Sequence, residues 1–118
     1  MILKNDGNAE LNITVNFTDL WNSVSNPSKY FQFKIRNLTN NCFVYSNTTT
    51  SWTNATAPGI TAHAIQRLNF TSGYQTGCNN ASIDINIEVP STETVSIDNE
   101  PRSSIITFMS SLGEPKQT

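Results

Sequence analysis

Charge is the scarcest ingredient of this chain. Seven basic and nine acidic residues among 118 give 14% charged residues and a net charge of −2, about half the roughly 25% of an ordinary soluble domain. With no positive excess there is little to neutralise a phosphate backbone or an anionic membrane, and nucleic acid drops to the bottom of the partner classes. Long apolar runs are missing too. No stretch approaches the roughly 20 apolar residues of a membrane span, and residues 1–5 lack the apolar centre of a secretory signal. An exported form of this chain is therefore expected to be processed or truncated, and Met1 need not be its translational start.

Chemistry-bearing residues are equally sparse. His63 is the one histidine, so a Ser-His-Asp or Cys-His centre would have to use it, yet it lies between two alanines in the strand-like ITAHAIQRLNF without a motif around it. There is no nucleophile elbow, no glycine-rich phosphate loop and no paired-carboxylate signature. Asp84, Asn86 and Glu88 share one strand face and could contribute to a calcium site, but that spacing is also what any wet strand face presents. Neither CxxC nor CxxH occurs. The expectation is a protein with no catalytic residue, no metal and no cofactor.

What the chain does have is uncharged polarity: 16 Asn, 13 Ser and 15 Thr. With 36% hydrophobic and 9% aromatic residues, it lacks the highly charged, apolar-poor composition of a disordered chain. Its length fits a single domain over residues 1–118. The dominant pattern is alternation. Leu11, Ile13, Val15 and Phe17 oppose Asn12, Thr14, Asn16 and Thr18; Phe31, Phe33 and Ile35 oppose Gln32, Lys34 and Arg36; Ile83, Ile85, Ile87 and Val89 oppose Asp84, Asn86 and Glu88. A period of two with one wet face is the signature of half-buried strands. Further strands are expected over 42–46, 60–70, 94–97 and 104–109, separated by turn clusters such as Asn5-Asp6-Gly7-Asn8. Residues 18–25 have room for one helical turn, 46–57 read as a long surface loop, and 113–118 as a polar tail. Seven or eight short strands of this kind predict an all-β chain, an antiparallel β-sandwich.

Two local signals point outside the cytosol. The sequon Asn-x-Ser/Thr occurs seven times, at Asn12, Asn16, Asn37, Asn47, Asn54, Asn69 and Asn80, against about four expected from composition alone. Asn12 and Asn16 fall on the outward face of the first amphipathic strand and Asn47 and Asn54 in the long loop, where a glycan has room. Covalent N-linked glycans are the expected modification. The even cysteine count beside these sequons favours a Cys42–Cys78 disulfide, closing a loop worth roughly 3–4 kcal/mol in chain entropy. With only nine carboxylates, the sequence also predicts a denaturation midpoint that changes little from about pH 7 to pH 3.

The opening LKNDGNAELNITV resembles extracellular β-sandwich modules of archaea and bacteria, in which a strand ends in an N-D/T-G-N/T turn and the next carries an L-x-x-x-V pattern, here Leu11 and Val15. ASIDINIEVPSTETVSIDNEPRSSIITFMSS resembles the I-x-V-P-x-x-T … x-I-x-F ending of such modules. With its sequon density, low charge and two cysteines, the chain is similar to the glycosylated thread-filament subunits of thermoacidophilic archaea, and to TasA and camelysin-type fibre proteins. The resemblance implies a structural subunit of a cell-surface filament, a pilus or thread, built as a head-to-tail homopolymer by donor-strand complementation. Its role would be adhesion to cells or abiotic surfaces and cell-to-cell contact. Residues 1–18 are the candidate donor, with Leu3, Leu11, Ile13, Val15 and Phe17 filling a neighbour's groove. Only four residues precede the first turn, which is short for such a donor. The alternative from another class is a non-polymerising S-layer or carbohydrate-binding module.

Overall fold

A computed structural model describes residues 1–25, 27–37, 42, 45–57, 60–70, 78–93 and 102–112. The described residues form no helix and seven strands: β1 (Ile2–Lys4), β2 (Leu11–Phe17), β3 (Phe31–Asn37), β4 (Thr53–Asn54), β5 (Ala62–Leu68), β6 (Asn80–Ile87) and β7 (Ile106–Leu112). They make two antiparallel sheets, one in the order β1-β6-β3-β4 and one in the order β5-β2-β7. The all-β expectation holds, and the arrangement is sandwich-like.

Alternation selects the faces. Ile13, Val15 and Phe17 of β2, Phe31, Phe33 and Ile35 of β3, and Ala81 and Ile83 of β6 are buried, joined by Ala64, Ile65 and Leu68 of β5. Phe17 reaches from the three-stranded sheet to the four-stranded one, edge-to-face with Phe31 at 5.4 Å and tilted on Phe33 at 5.1 Å. These offset geometries suit aromatic quadrupoles and bind the sheets beyond simple area burial.

Buried polar groups also fasten the layers. After β1 the buried Asn5 donates through Nδ2 to Ala9 O (2.8 Å) and to Leu68 O (3.1 Å), while its Oδ1 accepts from Gly7 N at 3.0 Å. Asn79, next to Cys78, accepts at its carbonyl from Asn5 N (2.8 Å) and returns a bond from Nδ2 to Asn5 O (3.2 Å). The turn cluster read from the sequence is thus a polar latch between the two sheets, satisfying carbonyls that would be costly to bury unpaired. The Cys42–Cys78 disulfide is formed, with Cα atoms 5.7 Å apart.

Three local expectations change. Residues 18–25 hold no helical turn; the Asn22 and Ser23 N–H groups are drawn to the Glu93 carboxylate, which removes them from local hydrogen bonding. The stretch 46–57 is not all loop, because Thr53 and Asn54 pair with Phe33 and Gln32 as β4. On β6 the apolar face outruns its cover: Ile83 is buried and Ile85 partly so, but Ile87 and Val89 are exposed. Among the described residues of 42–46, none is in a strand. The strand expected over 94–97 and the polar tail 113–118 lie outside the described residues.

Candidate functional site: an unguarded sheet edge

Among the described residues, four strands lie at sheet edges, and three of them are protected. β1 has three residues and carries Lys4, while β4 has two. β5 is closed along its outer side by the turn before β4. There Thr49 N donates to Ala64 O (3.0 Å), Thr49 Oγ1 to His63 O (2.6 Å), Gln66 N to Thr48 Oγ1 (2.9 Å) and Asn47 N to Gln66 Oε1 (3.0 Å). Its register against β2 is also broken by irregularities around Ile13. Arg67 sits there at φ 56°, a left-handed conformation that a non-glycine residue adopts at a cost. It is held by Asn12 Oδ1 accepting from its N–H (3.0 Å), a two-pronged pair with Glu10 (2.7 and 3.1 Å) and the Tyr45 ring 4.3 Å below its guanidinium.

Among the described residues, β7 has none of these protections. Its seven residues, ITFMSSL, pair with β2 in unbroken register from Leu11↔Leu112 to Phe17↔Ile106. They include no charge and no proline. Edge strands are ordinarily blunted by shortness, Lys, Pro, bulges or inward charges, because a long flat edge invites another strand. Thr18 N donates to Ile105 O at 3.1 Å, so by antiparallel alternation the amides of Ile106, Phe108, Ser110 and Leu112 point away from β2.

The core beside this edge is incompletely covered. Ile35 N donates to Thr49 O (2.7 Å) and Thr49 N to Ala64 O, stitching the sheets along the β3 and β5 flank, which leaves β7 at the opposite flank. There Ile106 and Phe108 pack on the core yet remain only partly buried, and Leu112 is 71% exposed. On β6, Met1 pairs with Ile83 through its carbonyl (2.8 Å). Among the described residues, the edge of β6 beyond that point has no strand beside it.

Of the donor residues expected from the sequence, Leu11, Ile13, Val15 and Phe17 lie in β2, paired on both sides, with Ile13, Val15 and Phe17 inside the chain's own core. Withdrawing β2 would strip two ladders and empty that core. Leu3, on the peripheral β1, is the one expected donor side chain at a sheet edge. The sequon asparagines separate by exposure. Asn47 and Asn54 are exposed, Asn12 and Asn16 half-buried on β2, and Asn37 ends β3. Asn69 is buried at 5% exposure, and Asn80 Oδ1 is buried without a hydrogen-bond partner among the described residues. His63 is exposed on β5. Asp84 is engaged by Arg36 at 3.1 Å, and no three His, Cys, Asp or Glu side chains gather among the described residues.

Electrostatics concentrate where β7 begins. Glu93, its side chain 7% exposed, accepts from Asn22 N (3.1 Å), Ser23 N (2.9 Å) and Arg102 Nε (3.0 Å), while Ser104 Oγ donates to Thr18 O (2.7 Å) and Ile105 N to Thr18 Oγ1 (2.7 Å). Hydrogen bonds from Ser23 hold the Glu93 carboxyl down to about 2, with Asn22 and Arg102 adding to the effect. The Asp84 carboxyl is likewise lowered, chiefly by Arg36. A depressed folded-state value means that the unfolded chain takes up protons first on acidification. The stabilisation is complete above the usual carboxylate range and is lost as pH falls through it toward about 2. The flat acid response expected from the carboxylate count therefore gives way to a sloping one. The thermal midpoint should hold from pH 7 to about pH 5 and fall below about pH 4.5. Glu93→Gln should flatten most of that fall in a calorimetric pH series, and an unchanged slope would discount this cluster.

No family model, no curated protein and no solved structure matches the chain. Among the described residues, no helix is long and apolar enough to cross a membrane. The disulfide is consistent with a secreted or extracellular protein.

Proposed function

We propose that this protein is a structural subunit of an extracellular cell-surface filament, joined head-to-tail by a strand of one copy added beside β7 of the next. One observation carries the reading: β7 is a seven-residue edge without a guarding charge, proline or bulge, beside apolar side chains only partly covered. An added strand would take hydrogen bonds from the outward amides and place alternate apolar side chains over Ile106 and Phe108. Covering these two and Leu112 contributes on the order of 3–6 kcal/mol before association costs. A donor and an acceptor at different places on one subunit make a contact that does not close on itself, and such contacts build fibres. The donor is the N-terminal segment of a neighbouring copy, of which β1 is the detachable part and β2 the part committed to its own core. Glycans on the exposed sequons Asn47 and Asn54 would clothe the fibre, and adhesion and cell-to-cell contact are its role.

Electron microscopy of purified protein tests this. Wild type is expected to form fibres. Ser110→Lys places a charge on the inward face opposite Ile13, at an exposed position where it would resist an incoming strand, and should give single particles with an unchanged thermal midpoint. Single particles from the wild type would favour a non-polymerising binding module, and fibres from Ser110→Lys would move the joint elsewhere.

A further inference from the structure

The outer face of the four-stranded sheet carries an arrangement that the filament reading does not use. Gln32 stands between Asn54 of β4 and Asn86 of β6, making a row of three amides across three strands. Next to that row is Trp52, two residues before Asn54 and so on the same face of an extended chain. The contacts agree: Gln32 Nε2 donates to Asn54 Oδ1 at 2.9 Å, and Lys34 Nζ lies 4.7 Å from the Trp52 ring centroid. Lys34 steadies the indole, which is nonetheless 44% exposed, an unusual position for the largest apolar side chain. The Asn54 amide is fixed in orientation. Its oxygen is occupied by Gln32, leaving Nδ2, the atom that carries an N-linked sugar, directed away from that bond.

We infer that Trp52 is the docking platform for the first sugar of a glycan carried on Asn54. The segment Trp52-Thr53-Asn54-Ala55-Thr56 sets an aromatic two positions ahead of a sequon asparagine, with both side chains exposed on one sheet face. The C–H-rich face of a pyranose would lie against the electron-rich face of the indole. Asn86, exposed on the same face, and the Gln32 carbonyl offer hydrogen-bond partners to the sugar hydroxyl or acetamido groups beyond it. Asn47, exposed in a turn, also has an aromatic two positions ahead, Tyr45, but the Tyr45 ring is taken by Arg67. Asn54 is thus the exposed sequon whose glycan is part of the folded structure rather than a solvated appendage.

The inference rests on the reading of Asn54 as a modified sequon, so the experiment separates the two. Protein made in an N-glycosylating host is digested and occupancy at Asn54 read by peptide mass; an unmodified Asn54 overturns both. With Asn54 occupied, four proteins are melted: wild type, Trp52→Ala, Thr56→Ala, which removes the glycan, and the double variant. Trp52→Ala should lower the midpoint of the glycosylated protein by about 5 °C more than it lowers the unglycosylated one; loss of the Lys34 contact is common to both comparisons and cancels. Equal shifts overturn the platform while leaving the modification intact. Proton NMR of the unmutated glycoprotein gives a readout that no variant can spoil: ring protons of the first sugar should be shifted upfield by the indole, and shifts equal to those of the free glycan would overturn the inference.

Discussion

Replacing Phe17 with alanine is expected to destabilise the protein by about 3–5 kcal/mol, a large part of the roughly 5–15 kcal/mol that holds a domain folded. Phe17 is fully buried, stands on the central strand of its sheet, and makes ring contacts with both Phe31 and Phe33 of the opposite sheet. Removing it opens a void between the layers and ends both aromatic contacts together. Phe108→Ala provides the comparison. Phe108 faces the same core from the neighbouring β7, opposite Val15, but it is only partly buried, and its loss should cost about 1–2 kcal/mol because much less area returns to water. Denaturant midpoints of the two variants measure the contrast. Equal costs would mean that the β7 flank is as well covered as the centre in the isolated chain, which would remove the main support for a strand-accepting edge.

That contrast marks how far alternation can be read. The pattern of Leu11 to Phe17 identifies a strand and its inner face, because burial on one side of a pleated strand selects apolar residues at every second position. It does not distinguish β2, paired on both sides, from an edge strand or a donated one, since all three need the same inner face. For the same reason Ile87 and Val89 look like core in the sequence and are exposed in the fold: the face continues for as long as the chain stays extended, whereas its cover does not, and Phe31 opposite Ile87 is buried under Phe17 while Ile87 is not. β4 escapes notice because two residues carry no period, and Arg67 is indistinguishable from any strand residue until its φ is seen. The Glu93 cluster joins residues 70 positions apart, Ser23 to Glu93, and no local pattern encodes such a meeting. The platform at Trp52 is the reverse case. Its aromatic-to-sequon spacing is visible in the sequence, but it gains meaning only once the exposure of both side chains and the Gln32 bond to Asn54 are known.

Loss of the disulfide should have an effect of similar size, by a different route. Cys42 follows β3 and Cys78 precedes β6, and these strands already lie side by side in antiparallel register, from Asn37↔Ala81 to Phe31↔Ile87. In the folded protein the bond therefore connects places that strand pairing has brought near each other. Its main work is on the unfolded chain, where it closes a loop with a sequence separation of 36 and removes entropy worth about 3–4 kcal/mol. The paired variant Cys42→Ser with Cys78→Ser is expected to keep the same β-sheet circular dichroism at 25 °C while its unfolding midpoint falls by about 10–20 °C. Because the constraint acts before folding, the refolding rate should drop more than the unfolding rate rises, provided that the β3 and β6 pairing forms early. A variant that loses sheet signal altogether at 25 °C would instead place the bond among the contacts that hold this end of the two sheets together, beside the Asn5 and Asn79 latch. In that event Asn5→Ala should reproduce the loss with the disulfide intact, since the Asn5 amide donates to both Ala9 O and Leu68 O there.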